Sequence, residues 1–591
     1  MTQIRAADLA PAGQRCGHAS EEIELTRHDG ATVPNRTLTE QEVHQEFGYV
    51  AMKDGTRLAY VVWRAEKNGK YPTILNYSAY AESGTPFADV KRFLEAGYAY
   101  VGANVRGTGA SEGSYSYYQP IEGTDGAEIV EWAAVQPWST GDVGMIGGSY
   151  GGHTQIKVAS HRPPHLRAIV PVATEGSEYR DEGRTGGLFN AGLMASWTFD
   201  IQPELARIGA ETRVRAGDSQ CAGIRAVQAP NAAYAEVLQH PFYDAWWQAR
   251  ALDTMVARVA VPTLLIHAWQ DEWIRPNGAL RLFKLLRSPH RKLIVQNGPH
   301  RLGGYKITQK EQMRWLDRWV KGESNGVEAE PPVTIYWEVT EAEDDTNAVP
   351  NWTTTYPTWP VPSLEWSTFY LTAAGELSAE KPNAGDDRGV RSYLYPLGTE
   401  LVGSNEQFAL APYPLGTLSY RTPSMASDMV LLGAPQLTLF FSTDQTDTDF
   451  MFSLKEVDPS GNTLFLQRSV LRASLRAIDE QLSTSDEIIQ SFGKAERLMP
   501  GNVTELKLSL SALGHVLRKG HRLELSIVAP NPTPNPVWGF APTSPSVNKI
   551  HHGALYPSQL RLPVIQGETA QKPAPKLGTL RNQPYRRAPA T

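Results

Sequence analysis

From Gln45 onward, short runs of β-branched and aromatic residues alternate with stretches of helical periodicity. Tyr49–Asp54 and Arg57–Ala65 read as a hairpin about Asp54-Gly55, a pair suited to a tight turn. Then come a strand over 73–80, a helix over 88–98, a strand over 99–107 and a helix over 123–136 with Trp132 on its apolar face. A strand over 143–148, a helix over 153–161 and a strand over 166–173 follow. Such alternation predicts a parallel sheet with helices on both faces.

Between 176 and 254 the alternation stops. This segment is rich in Gly, Arg and Asp and then helical, so it reads as a helical cap inserted into the α/β domain. Strand–helix order resumes with strands over 261–269 and 291–298 and helices over 277–288 and 307–320. Beyond the linker at 321–332 the chain turns β-rich. Short runs such as Val333–Thr340, Gln436–Thr443, Asp449–Val457 and His521–Ala529 are broken by Pro and Gly, as in a sandwich or jelly roll. The expected domains are an N-terminal arm at 1–44, a catalytic domain at 45–175 and 255–325, a cap at 176–254 and a jelly roll at 331–575.

Length agrees with this division, since 591 residues correspond to three or four domains at about 150 residues each. A net charge of −7 without a basic run argues against binding nucleic acid. With only Cys16 and Cys221 there is no disulfide framework and no cysteine-based metal site. No apolar run is long enough to span a membrane, and the first residues lack the apolar stretch of a secretory signal. A cytoplasmic location is expected, with no metal and no cofactor; a homo-oligomer stays open. His551-His552 and the acidic run Glu341–Asp345 lack ligand spacing.

Candidate chemistry begins with Gly-x-Ser-x-Gly, the turn that exposes a nucleophilic serine between a strand and a helix. Three copies occur, around Ser111, Ser149 and Ser324, where chance supplies about 0.3. Context separates them. Ser324 follows a helix, and Ser111 is followed by more loop. Only Ser149 has an apolar strand directly before it and a helix directly after it, aiming a helix N-terminus at a developing oxyanion. Later in the chain Asp271 follows one strand and His300 the next, in the order serine, acid, histidine. Glu272 and Asp253 are rival acids. His267 lies inside a strand, and His153, four residues after Ser149, is better placed to line the site than to act as base.

Arg106–Gly113, Trp132–Gly152, Val261–Trp273, Thr446–Gly461 and Arg518–Pro536 together resemble one family: cocaine esterase, α-amino acid ester hydrolase and the X-prolyl dipeptidyl aminopeptidases. The resemblance spans about residues 45–570 in the family's order. It implies an α/β-hydrolase sheet with an inserted helical cap followed by an all-β jelly roll. It also implies an oxyanion hole made by a tyrosine hydroxyl, placed at Tyr80 with Tyr77 as competitor, and by the backbone N–H of Tyr150. Two departures stand out. Relatives often carry Gly-Pro-Trp-x-His before the base, whereas this chain has Gly298-Pro299-His300. Amino acid ester hydrolases carry acidic residues shortly after the catalytic aspartate, where this chain has Trp273 and Ile274; Trp273 resembles the aromatic acyl-pocket position of the esterase branch.

The expectation is thus a serine hydrolase acting on a small-molecule ester or activated amide through an acyl-enzyme. An X-prolyl dipeptidyl aminopeptidase, an α-amino acid ester hydrolase or an acyltransferase is the alternative, and a non-catalytic sugar-binding protein a remote one. Trp197, Trp246, Trp247 and Trp273 are candidate pocket aromatics. Asp181 and Glu182 are candidates to hold a substrate ammonium.

Overall fold

The computed structural model describes residues 37–340, 348–384, 389–397, 414–530 and 537–587. Most of the expected arm and the run Glu341–Asp345 lie outside the described residues. The first domain is built on a ten-stranded sheet. Its strands are β1 (His44–Ala51), β2 (Arg57–Arg64), β3 (Tyr71–Ser78), β4 (Ala99–Asn104), β5 (Ser139–Gly148), β6 (Leu166–Val172), β7 (Thr263–Ala268), β8 (Arg291–Gln296), β9 (Val333–Trp337) and β10 (Trp352–Tyr356). They are ordered β1-β2-β4-β3-β5-β6-β7-β8-β9-β10. The central pairs from β4 to β9 are parallel, and the outer ones antiparallel.

Strand periodicity divides the core in two. Leu75, Val101, Val143, Met145, Leu293 and Val295 face one side, with α2 (Ile121–Ala134), α3 (Tyr150–Ser160) and α9 (Pro276–Leu285) packed there. Ile74, Tyr100, Ile146 and Ile294 face the other, under α1 (Phe87–Glu95) and α10 (Lys306–Trp319). Helix α3 is buried along its whole length. Val333–Trp337, expected as the first strand of the β-rich domain, instead pairs in parallel with β8. Its Val333 and Ile335 are fully buried in the core shared with Leu293 and Val295, and Tyr336 packs against the opposite core, so burial on both faces overrides position in the chain.

The segment between β6 and β7 is helical: α4 (Ala191–Ser196), α5 (Gln202–Arg215), α6 (Cys221–Ala226), α7 (Ala233–Gln239) and α8 (Ala245–Gln248). Helix α5 lies on the loop after β3. A Cβ added at Gly84 would sit 2.0 Å from the Gly209 carbonyl oxygen, so only glycine permits this crossing. Arg213 caps it by donating to the carbonyls of Tyr60 and Ser83. After β10 the described residues form two antiparallel sheets of nine and five strands, the latter ordered Leu418–Arg421, Arg522–Val528, Asp449–Val457, Thr463–Arg472 and Tyr585–Arg586. This is an all-β jelly-roll domain.

Candidate active site

Four strands of the parallel sheet, β3, β5, β7 and β8, are each followed by a residue of the candidate site, with β6 lying between β5 and β7. Ser149 sits between β5 and α3 with φ 56° and ψ −124°. Serine avoids that conformation, which costs about 1–3 kcal/mol. Backbone bonds on both sides impose it: its N–H donates to the Val172 carbonyl at 2.9 Å, and its own carbonyl accepts from Gly152 at 2.8 Å and His153 at 3.0 Å. The flanking glycines are steric requirements. A Cβ on Gly147 would meet the Gly151 carbonyl at 2.8 Å, and one on Gly151 would meet Asn76 Oδ1 at 3.1 Å.

The other two copies of the motif are occupied differently. Ser111 is fully buried, donating to the Asn104 carbonyl and accepting from the Ala59 N–H, both at 2.9 Å. Ser324 is exposed after α10.

His300 follows β8, and its Nδ1 lies 2.7 Å from Asp271 Oδ2. The second Asp271 oxygen accepts the backbone N–H groups of Trp273 at 3.0 Å and Ile274 at 2.9 Å. The carboxylate is therefore held at both oxygens, which fixes the tautomer and orientation of the imidazole. The rivals are engaged elsewhere: Glu272 pairs with Arg468 at 2.5 Å, and Asp253 lies 3.3 Å from Arg281. His267 is buried in β7, with Nδ1 at 2.9 Å from the Ala268 carbonyl.

The jelly roll fastens the loop that carries Asp271. Gln467 donates to the Trp269 carbonyl at 2.5 Å, and Gln270 donates to the Leu466 carbonyl at 3.0 Å. Asn582 donates to the Gln270 carbonyl at 2.7 Å and Trp538 to the Glu272 carbonyl at 2.6 Å. The loop after β8 is tied in as well, since the Gly298 N–H donates to Gln270 Oε1 at 3.3 Å.

Tyr80 lies two residues beyond β3. Its hydroxyl faces Ser149 and accepts a hydrogen bond from Trp197 Nε1 at 3.1 Å. Burial pushes the phenol far above its ordinary range, so it stays a neutral donor. Its backbone N–H donates to Ser78 Oγ and Glu82 Oε2, both at 3.1 Å, and burial raises the Glu82 carboxyl to about 7. Tyr77 is instead fully buried, its ring against Gly126 of α2. Tyr150 opens α3, so its backbone N–H has no acceptor within the helix. Its ring stacks on Tyr118 at 4.3 Å and on Trp197 at 6.1 Å. The Trp273 ring stacks on His300 at 6.1 Å. Of the other candidate aromatics, Trp247 is fully buried, and Trp246 lies between His240 and Arg250.

Asp181 and Glu182 are adjacent but differ in role. Asp181 accepts from the N–H groups of Gly176 and Ser177 and from Arg281 at 2.9 Å, so its carboxylate is structural. Glu182 faces His300, Tyr117 and Tyr118, and one of its buried oxygens has no hydrogen-bond partner. Burial raises its carboxyl to about 7.

Behind it lie two acids the motif reading overlooked, Glu175 and Glu178. Both flank His153, and all three are fully buried. His153 Nδ1 contacts Glu175, and Nε2 lies 3.3 Å from Glu178. Burial raises Glu175 well above the carboxylate range and Glu178 to about 8, and it lowers His153. Their donor atoms lie within 4.8 Å of one another, close enough to hold a cation or to share protons. The spacing of Glu175, Glu178 and Glu182, three and four residues apart, was the available signal.

Comparison with known proteins agrees with this architecture. Residues 54–301 match the family model described as X-Pro dipeptidyl-peptidase (S15 family), and 325–561 the X-Pro dipeptidyl-peptidase C-terminal non-catalytic domain. The chain is 25% identical to the cocaine esterase of Rhodococcus sp. (strain MB1 Bresler), over 88% of this chain and 98% of the relative. It is 23% identical to a putative Xaa-Pro dipeptidyl-peptidase of Rhodopirellula baltica, over 81% of this chain and 74% of the relative. Among solved structures, a CocE/NonD family hydrolase from Staphylococcus aureus superposes with a TM-score of 0.74 at 22% identity, covering 91% of this chain and 95% of that one.

Proposed function

We propose that the chain, a serine hydrolase whose residues 54–301 match the S15 family model, cleaves a carboxylic ester through an acyl-enzyme on Ser149. The supporting observation is the strained turn that presents Ser149 beside the Tyr80 hydroxyl, together with the 2.7 Å bond from His300 to Asp271. Ser149 attacks the carbonyl carbon, and His300 takes the hydroxyl proton and returns it to the leaving alcohol. Asp271 stabilises the imidazolium as it forms. The developing oxyanion accepts from Tyr80 Oη and from the Tyr150 N–H. Because Trp197 donates to the phenol oxygen, the hydroxyl hydrogen is left to point at the oxyanion. Water, activated by His300, then releases the acid. Trp197 and Trp273 flank these groups and favour a bulky apolar acyl group.

A second reading rests on Glu182. A buried carboxyl near the base, with one oxygen unpartnered among the described residues, suits the ammonium of an α-amino ester or peptide substrate. The test compares phenylacetate and phenylglycine methyl esters, with Ser149→Ala as control. A tenfold preference in kcat/KM is about 1.4 kcal/mol of differential transition-state binding. Preference for the neutral ester is the expected result. Preference for the amine, lost in Glu182→Gln, would move the enzyme to amino esters and peptides. Turnover retained by Ser149→Ala would overturn the mechanism.

A further inference from the structure

On the far side of the turn that carries Glu182 lies a cavity of about 50 Å³ between the cap, α9 and the jelly roll. By this measure a water needs about 10–15 Å³, so there is room for about four atoms of that size. Its charged lining comprises Arg180, Arg275 and Arg281 with Asp181 and Glu487. Both acids are held by Arg281, at 2.9 Å and 2.8 Å, and so is Asp253 at 3.3 Å. Lys284 takes the remaining oxygen of Glu487 at 3.4 Å, along with Asp486. Among the described residues the other two arginines form no close ion pair, although Asp253 acts on Arg180 at longer range, as do Asp181 and Glu487 on Arg275. Among the described residues the Arg275 guanidinium donates to the Ser511 hydroxyl, at 2.8 and 3.1 Å. Arg180 is 6% exposed and lies over the Tyr243 ring at 3.9 Å, and none of its three nitrogens has a hydrogen-bond acceptor among the described residues.

A guanidinium taken out of water without an acceptor is costly, and its planar fork matches an oxyanion in two-point contact. Arg180 is such a group, and with Arg275 beside it on one small cavity it marks an anion site. We propose that this cavity binds a small oxyanion, a carboxylate or a phosphate, on Arg180 and Arg275. Its position gives the ligand leverage. Arg180 and Glu182 lie on the same short helical turn, Tyr179–Gly183, the first facing the cavity and the second facing His300. An anion drawing Arg180 inward therefore acts on the wall of the active site without entering it.

The test uses the full chain in chloride at constant ionic strength, titrated with inorganic phosphate or with acetate and followed by calorimetry and thermal unfolding. Saturable binding and a rise in Tm of about 2 °C or more are expected for at least one of them. Phosphate alone would identify the ligand class as phosphate, and acetate alone as carboxylate. Arg180→Met and, separately, Arg275→Gln should each weaken that binding at least tenfold. Blocking Ser149 with a sulfonyl fluoride should leave it intact. No saturable binding by wild type, binding unchanged in both variants, or binding abolished by the Ser149 block would each overturn the proposal. Failure of the reagent to label Ser149 would instead count against the serine mechanism.

Discussion

Two groups of buried polar residues meet at Tyr117 and Tyr118, and they are built on opposite principles. On the catalytic side the key atoms have fixed partners: Asp271 is bonded at both oxygens and Tyr80 accepts from Trp197. On the cap side, His153, Glu175, Glu178 and Glu182 are buried with oxygens or nitrogens that make no hydrogen bond. The first arrangement is preorganised for charge that appears during reaction. The second holds more negative groups than neighbours to neutralise them, so it responds to protons or to a cationic ligand. Rate should thus depend on the first group, and substrate preference and pH response on the second.

Ser149→Ala should reduce kcat by about 10⁴-fold or more, and Asp271→Asn by about 10⁴-fold, with KM little changed, measured on the phenylacetate ester. Tyr80→Phe should cost about 10²–10³-fold in kcat. Trp197→Phe, which keeps the ring and removes the N–H, should cost about tenfold through Tyr80 and nothing further in a Tyr80→Phe background; additive losses would break the link between them. Glu182→Gln should change kcat on the neutral ester less than about threefold while shifting the ratio of amine to neutral ester; an equal loss on both would place it in the catalytic group.

The smallest effect concerns stability. Glu82 and Glu182 are raised to about 7 and Glu178 to about 8, so the folded protein keeps protons that the unfolded chain releases above about 4.5. Their contribution is most favourable below about 4.5 and declines as pH rises through 7–8. Tm should therefore fall by several degrees between pH 5 and 8, less steeply in Glu178→Gln. A flat profile would mean that these acids have found a counter-ion.

The two groups also differ in how far the chain announces them. Ser149 is written in a strand, five local residues and a helix, and Asp271 and His300 each follow a recognisable apolar strand. Local sequence is enough there because each group sits within four residues of a strand end. The division of labour between Asp181 and Glu182 is not local. It depends on Arg281, which lies 100 residues from Asp181 in the chain. Glu175 and Glu178 were overlooked because their partner His153 is on a different element. Likewise the pairing of Val333–Trp337 with β8 depends on what covers its faces, which a β-rich composition cannot reveal.

The bonds from Gln467, Trp538 and Asn582 tie the second domain to the 269–272 loop that carries Asp271. An engineer who trims this enzyme to its sheet and cap removes the splint that holds the acid loop in register. Such a fragment could fold and still be inert. Grafting a new β domain onto it would require carrying over those three side chains as a fastening, much as a hinge must keep its screw positions.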